Sequence, residues 1–287
     1  MIDIPEHFSR QPTVAEFQKI ILEYFEQYAR KFPWRETENP YEILVSEIML
    51  QQTQTERVVP KYFAWLTRFP DVHTLAQASL ADVLTYWSGL GYNRRARFLH
   101  EAARELSKIM YLNKEFPQSP TELVKLPGIG SYTAHAVATF AFNRPEVFIE
   151  TNIRSVYLFF FFREHMHTAD KVHDKDIFPF IEKTLYRKNP RLWYYALMDY
   201  GAALKKTVKN PNRQSTHYIK QSPFEGSVRQ ARGAILRQLT GEHAGNAMNL
   251  NDIHKAENID LKRLERAAEL LCAEKLLYKD GDFYKIP

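Results

Sequence analysis

Two glutamates stand in sequence contexts that suit general acid–base chemistry, and the first is Glu47. Pro40 opens a predicted helix on which Glu47 shares an apolar stripe with Ile43 and Leu50. Burial on such a stripe favours the protonated carboxyl group, which can act as a general acid toward a leaving base. An edge position, at which Glu47 points into water, is the alternative.

The second glutamate, Glu150, follows the apolar residues 147–149 and precedes a predicted helix. The dipole and the free N–H groups at a helix start favour its ionised form. A protonated acid, together with an anion that stabilises an oxocarbenium-like sugar or positions water, suits cleavage of an N-glycosidic bond. A helix-capping role is the alternative for Glu150.

Polar side chains that suit contacts with a DNA duplex follow Glu47 along the same helix. Gln51, Gln52 and Thr53 stand at its end, where amides can reach base edges or fill the gap left by a flipped nucleotide. These residues favour the buried, catalytic interpretation of Glu47 over the solvent-exposed one.

A glycine-rich turn at residues 126–130 (LPGIG) separates two predicted helices. The two glycines permit a tight turn, and the helix start that follows presents free N–H groups to an anion such as a phosphate. A bare G-x-G would indicate only a helix–helix turn, but the longer pattern L-P-G-I-G-x-x-T-A favours binding to a DNA backbone. We therefore predict DNA contacts from Leu126, Gly128, Gly130, Ser131 and Thr133.

Helical periodicity runs through most of the chain, with apolar residues three and four positions apart. Pro and Gly punctuate the segments, and no period-2 strand pattern precedes about residue 275. The predicted fold class is therefore all-α. The predicted helices cover residues 13–30, 41–52, 55–67, 79–87, 93–110, 119–125, 131–142, 152–163, 174–187 and 191–204.

The composition, 287 residues with 45% hydrophobic and 25% charged, is that of an ordinary soluble protein rather than a disordered one. Neither a membrane-spanning apolar run nor a secretory signal is apparent, so a cytoplasmic, bacterial-type location near the nucleoid is expected. The single cysteine, Cys272, excludes disulfides and multi-cysteine metal sites. His165, His167 and His173 give a weak metal signal without neighbouring cysteines, and no metal is predicted.

The distribution of charge indicates an anionic partner more strongly than the net charge of +5 does. Residues 200–224 contain no Asp or Glu, and residues 205–226 lose the helical periodicity. This stretch is predicted to be an extended linker or a DNA-facing loop, with a solvated connector as the alternative. Its predicted phosphate contacts are Lys205, Lys206 and Lys209.

The end of the chain is predicted to form a winged-helix-like module. Three short amphipathic helices, near 227–239, 250–257 and 260–275, precede two strands joined through Asp280-Gly281-Asp282, a hairpin signal. Its basic and acidic residues nearly cancel, so a DNA-reading role has no better support than a packing or partner-binding one. The predicted domains are therefore 1–204, 205–226 and 227–287.

Six motifs together resemble the MutY-type adenine DNA glycosylases, which belong to the helix-hairpin-helix superfamily of endonuclease III. The resemblance covers roughly residues 14–204, with the motifs in matching order and spacing. It implies a helix-hairpin-helix core of two helical lobes and base flipping from duplex DNA. The motifs are FPWR (32–35), SEIMLQQTQ (46–54), GLGYNRRAR (89–97), LPGIGSYTA (126–134), IETNIRSV (149–156) and ALMDYGA (196–202).

The resemblance also implies roles for single residues. Glu47 matches the acid that protonates adenine, Gln52 the amide wedged into the duplex, and Tyr92 the aromatic beside the opposing base. Asn152 matches an active-site asparagine. Tyr132 occupies the position at which bifunctional relatives carry a catalytic lysine, so hydrolytic base release with weak strand nicking is expected.

The chain departs from the family pattern at three places. Glu150 stands where the family usually has an aspartate, and its added methylene can displace the charge by about an ångström. Lys205 occupies the first of the four cysteine positions that hold a [4Fe–4S] cluster in most relatives, so neither a cluster nor another cofactor is expected. The usual domain that recognises 8-oxoguanine is replaced by the module at 227–287.

The sequence thus predicts a monofunctional DNA glycosylase of base excision repair that acts as a monomer, away from membranes, on duplex DNA. Its expected target is adenine opposite guanine or 8-oxoguanine; another damaged or mispaired base, or a catalytically impaired lesion-binding protein, are the alternatives. Arg94 and Arg95 are predicted phosphate contacts, with a solvated helix face as the alternative. Asp199 either orients backbone near the site or is a buried cap. The predicted catalytic residues are Glu47, Glu150, Tyr132 and Asn152.

Overall fold

A computed structural model describes residues 10–163, 171–219, 223–241 and 245–287, so His165 and His167 lie outside the described residues. Two 3-10 turns lie at Pro33–Arg35 and Pro211–Gln214. The strands are β1 (Met248–Asn249), β2 (Tyr278–Asp280) and β3 (Phe283–Lys285). The helices are α1 (Val14–Tyr28), α2 (Pro40–Leu50), α3 (Thr55–Arg68), α4 (Val72–Gln77), α5 (Leu80–Trp87), α6 (Arg94–Asn113), α7 (Pro120–Leu123), α8 (Ser131–Phe142), α9 (Thr151–Phe161), α10 (Asp174–Thr184), α11 (Pro190–Thr207), α12 (Val228–Gln238), α13 (Leu250–Glu257) and α14 (Leu261–Ala273).

The helical core confirms the predicted fold class. No helix among the described residues is long and apolar enough to cross a membrane. Helix α4 was not predicted, because its six residues are too few to display the three-and-four spacing of an amphipathic helix. A local signal nevertheless marks its start, since the Asp71 carboxylate accepts a hydrogen bond from Thr74 N at 2.8 Å.

One compact unit combines Met1–Pro40, Gln118–Pro120 and Ser131–Lys220. Its described part has an aromatic centre, in which Phe17 of α1 contacts Tyr157 and Phe161 of α9 and Trp193 of α11. The ring centroids are 5.4, 5.1 and 5.7 Å apart, at edge-on or tilted angles that aromatic pairs favour. Helices α9 and α11, which carry several candidate site residues, are therefore held against each other by aromatic packing.

The second compact unit combines Tyr41–Pro117, Thr121–Gly130 and Gln221–Pro287. Helix α2 runs through it with eight buried residues, which are all of Tyr41–Met49 except the half-buried Glu42. The Tyr41 hydroxyl donates to Phe69 O at 2.7 Å, and Trp65 Nε1 donates to that hydroxyl at 3.2 Å. A helix that is buried on nearly all sides is held in one orientation by its neighbours.

The C-terminal segment confirms the predicted module of three helices and a hairpin. Helix α12, β1, α13, α14, β2 and β3 follow one another, and the antiparallel sheet has the order β1-β3-β2, the arrangement of a winged helix. Strand β1 was missed because its two residues pair across a long sequence separation, with Met248 opposite Tyr284. Gly241 N donates to the Thr85 hydroxyl of α5 at 3.0 Å, within the same compact unit.

The stretch between α11 and α12 corrects one prediction. Residues 205–226 were expected to be extended, but α11 continues to Thr207 and Pro211–Gln214 forms a 3-10 turn. Asn210 caps that turn by accepting from Asn212 N at 3.1 Å. Loss of apolar periodicity here marks side-chain-capped turns rather than an extended chain. The domain boundaries at 204 and 226 stay predictions.

Candidate active site and DNA interface

Glu47 lies in the middle of the buried helix α2, with 6% of its surface exposed. The structure thus confirms the buried position and excludes the alternative in which Glu47 points into water. A carboxyl group withdrawn from water favours its neutral, proton-carrying form. The position therefore suits a general acid, while the catalytic role itself stays a prediction.

The turn after α2 holds Gln52 in an unusual backbone conformation. The helix ends at Leu50, two residues before the predicted end, and Gln52 has a φ of 54° in the left-handed region. For a residue with a Cβ atom this region costs about 1–2 kcal/mol. Thr53 N donates to Leu50 O at 3.2 Å and closes the turn. The Gln52 side chain is therefore presented by a defined turn rather than by a fraying helix.

Tyr92 stands at the end of a second turn, and its backbone is also left-handed, with a φ of 50°. Its side chain is 40% exposed, a large fraction for an aromatic residue. Trp87 Nε1 donates to Gly91 O at 3.0 Å and anchors the turn from the end of α5. The two residues matched to probes of the duplex thus share one backbone property, a left-handed conformation without glycine.

Arg95 connects these two turns and corrects the phosphate contact predicted for it. Its guanidinium nitrogens donate to acceptors on both sides, at 2.5–3.4 Å. Burial lowers the pKa of Arg95 to about 10. Because every nitrogen already donates within the protein, Arg95 is a structural clamp rather than a phosphate ligand. The acceptors are the carbonyls of Ile48, Met49 and Gln51, those of Leu90, Gly91 and Tyr92, and the Thr53 hydroxyl.

The glycine-rich hairpin packs on α6 through Gly128. A Cβ atom at Gly128 would lie 2.3 Å from Phe98 Cβ, and the residue has a φ of +72°, so only glycine fits. The guanidinium groups of Arg94 and Arg97 lie over the Phe98 ring, 5.4 and 4.7 Å from its centroid. A substituent at Gly130 meets nothing within 4 Å, so the backbone there is open to a ligand. The exposed Arg94 therefore lies on the helix that supports the hairpin.

The remaining hairpin predictions divide by exposure. Ser131 is exposed at the start of α8, where free N–H groups suit a phosphate. Leu126 and Thr133 are buried, at 5% and 2% exposure. Their side chains pack inside the protein, and the predicted DNA contacts of these two residues, which rest on the backbone N–H groups of the hairpin, stay predictions. Any contact that they make with DNA must come from the surrounding backbone.

Glu150 is the N-cap of α9, so the capping alternative describes its position. Its Oε1 accepts from Asn152 N at 2.6 Å and from Ile153 N at 2.8 Å. Its Oε2 accepts from Asn152 Nδ2 at 3.2 Å. Capping and catalysis are compatible here, because a cap fixes the direction of the carboxylate. The structure also brings together two predicted catalytic residues, Glu150 and Asn152. Glu47 belongs to the other compact unit.

Tyr132, the residue at the lyase position, sits in an aromatic cluster at the start of α8. Its ring meets Phe148 edge-on with centroids 5.8 Å apart, and Phe148 stacks on Tyr194 at 3.9 Å. Phe148 lies two residues before Glu150, so this cluster supports the chain that leads into α9. A phenol carries no amine that can form a Schiff base.

The predicted basic contacts at the end of α11 differ from one another in burial. Lys206 and Lys209 are exposed, as phosphate contacts should be, whereas Lys205 is half-buried. Burial lowers the pKa of Lys205, and the attraction of Glu150 acts in the opposite direction. The charge of Glu150 thus partly offsets the effect of burial on the pKa of Lys205.

Asp199 is a fully buried carboxylate bound by two arginines. Arg35 donates to it through two nitrogens, each at 2.8 Å, and Arg30 donates from its backbone and side chain at 2.8 and 2.6 Å. Arg35 also lies over the Tyr195 ring, 4.6 Å from its centroid. Local sequence gives no sign of this partnership, because Arg35 in FPWR and Asp199 in ALMDYGA are far apart along the chain.

Comparison with known proteins identifies the family. Residues 45–178 match the HhH-GPD superfamily of base excision DNA repair proteins. An adenine DNA glycosylase of Mycobacterium tuberculosis is 32% identical over 301 residues, which cover 96% of this chain and 97% of that protein. The chain belongs to the MutY-type family of DNA glycosylases. Because the match covers 96% of this chain, the similarity to this relative extends into the C-terminal module.

Other relatives of this glycosylase share less of their length. An adenine DNA glycosylase of Buchnera aphidicola is 36% identical over 193 residues, and the chain spans only 54% of its length. A thermostable thymine-DNA glycosylase has a TM-score of 0.59 at 25% identity, over 71% of this chain and 92% of its own. A trapped endonuclease III–DNA covalent intermediate shares the fold, with a TM-score of 0.50 at 20% identity over 74% of this chain and 91% of its own.

Proposed function

We propose that this glycosylase removes adenine mispaired with guanine or 8-oxoguanine from duplex DNA by hydrolysis. The observation that carries the proposal is the buried carboxyl group of Glu47 on the helix that ends at the Gln52 turn. The near-full-length similarity to an adenine DNA glycosylase supports adenine as the base. The left-handed turns at Gln52 and Tyr92 support entry of these side chains into the duplex when the adenine flips out.

The proposed reaction assigns one step to each glutamate. Glu47 donates its proton to a ring nitrogen of the flipped adenine, and the glycosidic C–N bond breaks with its electron pair on the base. The Glu150 carboxylate stabilises the oxocarbenium-like sugar and orients a water molecule, which adds to the sugar carbon and releases a proton. The products are free adenine and an abasic site. Asn152 holds the Glu150 carboxylate through its side-chain amide at 3.2 Å.

The glycosylase is proposed to lack strong strand-nicking activity and to work without a cofactor. Tyr132 offers no amine for a Schiff base. A [4Fe–4S] cluster requires four cysteine thiolates, and the residues do not fit one, since the single Cys272 lies on α14. In the 3-10 turn that follows α11, the buried Asn212 donates a hydrogen bond to Thr151 O of α9.

The DNA interface is proposed to combine backbone and basic side chains. The hairpin backbone at Gly130 and Ser131 suits one phosphate, and the exposed Arg94, Lys206 and Lys209 suit others. The partner is a duplex with a mispair or lesion, bound by a monomer in the bacterial cytoplasm, where chromosomal DNA lies.

A panel of duplexes tests the function. Single-turnover reactions on A:8-oxoguanine, A:G, T:G and alkylated-base duplexes are treated with alkali and resolved by gel. We expect cleavage at adenine in the first two. Glu47→Gln should lower that rate by about 100-fold or more while retaining binding, because a general acid contributes at least that factor. Glu42→Gln, which makes the same change at the half-buried first turn of the same helix, is the matched control.

The outcomes separate the alternatives. Release of another base but not adenine would transfer the activity to a different lesion. Selective binding without release of any base would identify a lesion-binding protein. A covalent adduct with abasic DNA after borohydride reduction would contradict the hydrolytic mechanism.

A further inference from the structure

The first turn of α9 is held from outside by one buried amide. Asn212, in the 3-10 turn after α11, is 4% exposed. Its Nδ2 donates to Thr151 O at 2.9 Å and to the Ser155 hydroxyl at 2.5 Å. The Ser155 hydroxyl in turn donates to Thr151 O at 2.8 Å. The three groups form a closed set of hydrogen bonds around the turn that Glu150 caps.

This turn determines where the Glu150 carboxylate points. Two of the three hydrogen bonds to that carboxylate come from backbone N–H groups of the turn, those of Asn152 and Ile153. If the turn opens, these donors move and the carboxylate loses its direction. Helix ends fray readily because their backbone groups lack intrahelical partners. A contact that closes this turn therefore acts on the carboxylate without touching it.

The 3-10 turn that carries Asn212 is itself anchored to its surroundings. Val172 N donates to Gln214 O at 2.9 Å, and Thr216 N donates to Val172 O at 3.1 Å. Two residues after Val172, Asp174 accepts from Arg154 of α9 at 2.6 and 2.7 Å. Asn212 therefore bonds to α9 from a segment that is joined to the same helix a second time, through Asp174 and Arg154.

Helix α11 also contacts the first turn of α9. A Cβ atom at Gly201 would lie 2.2 Å from Asn152 O, so the two backbones are in direct contact. The first turn of α9 is thus confined between α11 and the Asn212 segment, both within one compact unit.

We propose that Asn212 is a positioning residue for base excision, which sets the direction of the Glu150 carboxylate by holding the first turn of α9. The inference rests on the proposed function, in which Glu150 stabilises the sugar cation. Asn212 Oδ1 has no hydrogen-bond partner in the described part of the chain, so the amide holds α9 through its nitrogen alone. An aspartate of the same shape would place an oxygen against two oxygens.

The test compares variants of the full-length protein in single-turnover excision from an A:8-oxoguanine duplex. Asn212→Ala should slow excision by about 10-fold or more, because small displacements of a catalytic group cost one to two orders of magnitude. Asn212→Asp should slow it at least as much, and Ser155→Ala in the same direction. The Kd for a non-cleavable duplex should stay within about twofold of wild type. Hydrogen exchange of the amides in residues 151–155 should become faster.

Asn189→Ala is the matched control for lost stability. Asn189 caps α11 through Leu192 N at 3.1 Å and does not hold α9, so this variant loses a helix cap but should keep the wild-type rate. In the Glu150→Gln background, Asn212→Ala should add no further loss, since the two residues act through one carboxylate.

Either of two kinetic results would overturn the proposal. One is an excision rate of Asn212→Ala equal to that of an active wild type. The other is an equal fold-loss of rate from Asn212→Ala in the wild-type and Glu150→Gln backgrounds. If the wild type releases no base, the proposed function fails instead. Hydrogen exchange then still decides whether Asn212 holds the turn, and unchanged exchange in Asn212→Ala would reject the inference on its own.

Discussion

Asp199 illustrates how single buried charges are matched in this protein. The carboxylate has no exposed surface, yet Arg35 and Arg30 contact both of its oxygens. Burial alone would raise the pKa of Asp199, but the hydrogen bonds and charge of Arg35, followed by those of Arg30, hold it below its ordinary value. A group with a lowered pKa stabilises the fold above its unfolded pKa, and the contribution disappears as pH falls through the folded pKa.

Asp199→Asn should therefore destabilise the protein by about 3 kcal/mol near neutral pH, since removing one member of a buried ion pair leaves unmatched charge. The difference from wild type should shrink as pH falls from the unfolded pKa of about 4 through the lowered folded pKa, at which the buried wild-type carboxylate becomes protonated. Urea denaturation across this range measures it. Glu23→Gln, which breaks the exposed pair with Lys19, is the control and should have little effect. An equal effect of Asp199→Asn at all pH values would contradict the argument.

At this scale, the sequence predicted the burial of Glu47 because a helical stripe is a local property. The cap formed by Glu150 was also foreseen as an alternative, since it depends on the next three residues. The clamp formed by Arg95 could not be predicted, because its acceptors are carbonyls of two turns that lie far apart in the sequence until the chain folds. Burial of Thr133 likewise depends on packing of its whole helix.

Arg95 connects helix α2 to the turn before α6, so the turns that carry Gln52 and Tyr92 form one structure. The guanidinium ties the last carbonyls of α2 to the turn that precedes α6. A lysine retains the charge but lacks the fork of five donors.

Arg95→Lys should lower the free energy of unfolding by about 3 kcal/mol, because several buried carbonyls lose their donor. It should also reduce the ratio of affinities for lesion and undamaged duplexes, since both turns lose their common anchor. Chemical denaturation and fluorescence titrations measure the two effects, and Arg94→Lys, on the exposed side, serves as control. An unaltered stability, with equal loss of affinity for all duplexes, would restore the phosphate contact first predicted.

The hairpin contains two glycines, two residues apart, that have different surroundings. Gly128→Ala should destabilise the protein, because the new Cβ would lie 2.3 Å from Phe98 Cβ at a φ of +72°. Gly130→Ala should fold with near wild-type stability, since its Cβ meets nothing within 4 Å. Thermal unfolding and duplex titration distinguish them. Any affinity lost by Gly130→Ala reports close approach of DNA, and full affinity in that variant would exclude this contact.

Most elements were predictable because their apolar spacing and caps are local. Helix α4 and strand β1 were not, since six and two residues carry too little pattern. The segment after α11 was predicted only as irregular. Its 3-10 turn is held by Asn212 on α9 and by pairing with Val172, contacts that no local spacing reveals.

Charge is distributed unevenly over the whole molecule, and this governs its expected response to salt. The net charge of +5 is small, and residues 200–224 contain no acidic side chain. Exposed cations on such a stretch release counterions when they bind phosphates, which makes affinity depend on ionic strength. The half-buried Lys205 should contribute less than its exposed neighbours.

Lys206→Ala and Lys209→Ala should each weaken duplex binding uniformly across sequences and reduce the slope of log affinity against log salt by about one. Duplex titrations at several salt concentrations measure the slope. Lys19→Ala makes the same charge change on α1 and should leave the slope unaltered. A slope that stays at its wild-type value in both variants would assign residues 206–209 to the solvated connector.

The left-handed backbone at Gln52 and Tyr92 has a consequence for how a damaged site is found. Both turns adopt this conformation in the free protein, so its energetic cost belongs to folding and does not recur at each encounter with DNA. If Gln52 and Tyr92 enter the duplex as proposed, they meet every base pair with the same backbone shape. Discrimination between damaged and undamaged sites would then depend on the duplex, because a weakened base pair opens more readily than an intact one. The glycosylase would then recognise a lesion by how readily its base pair opens.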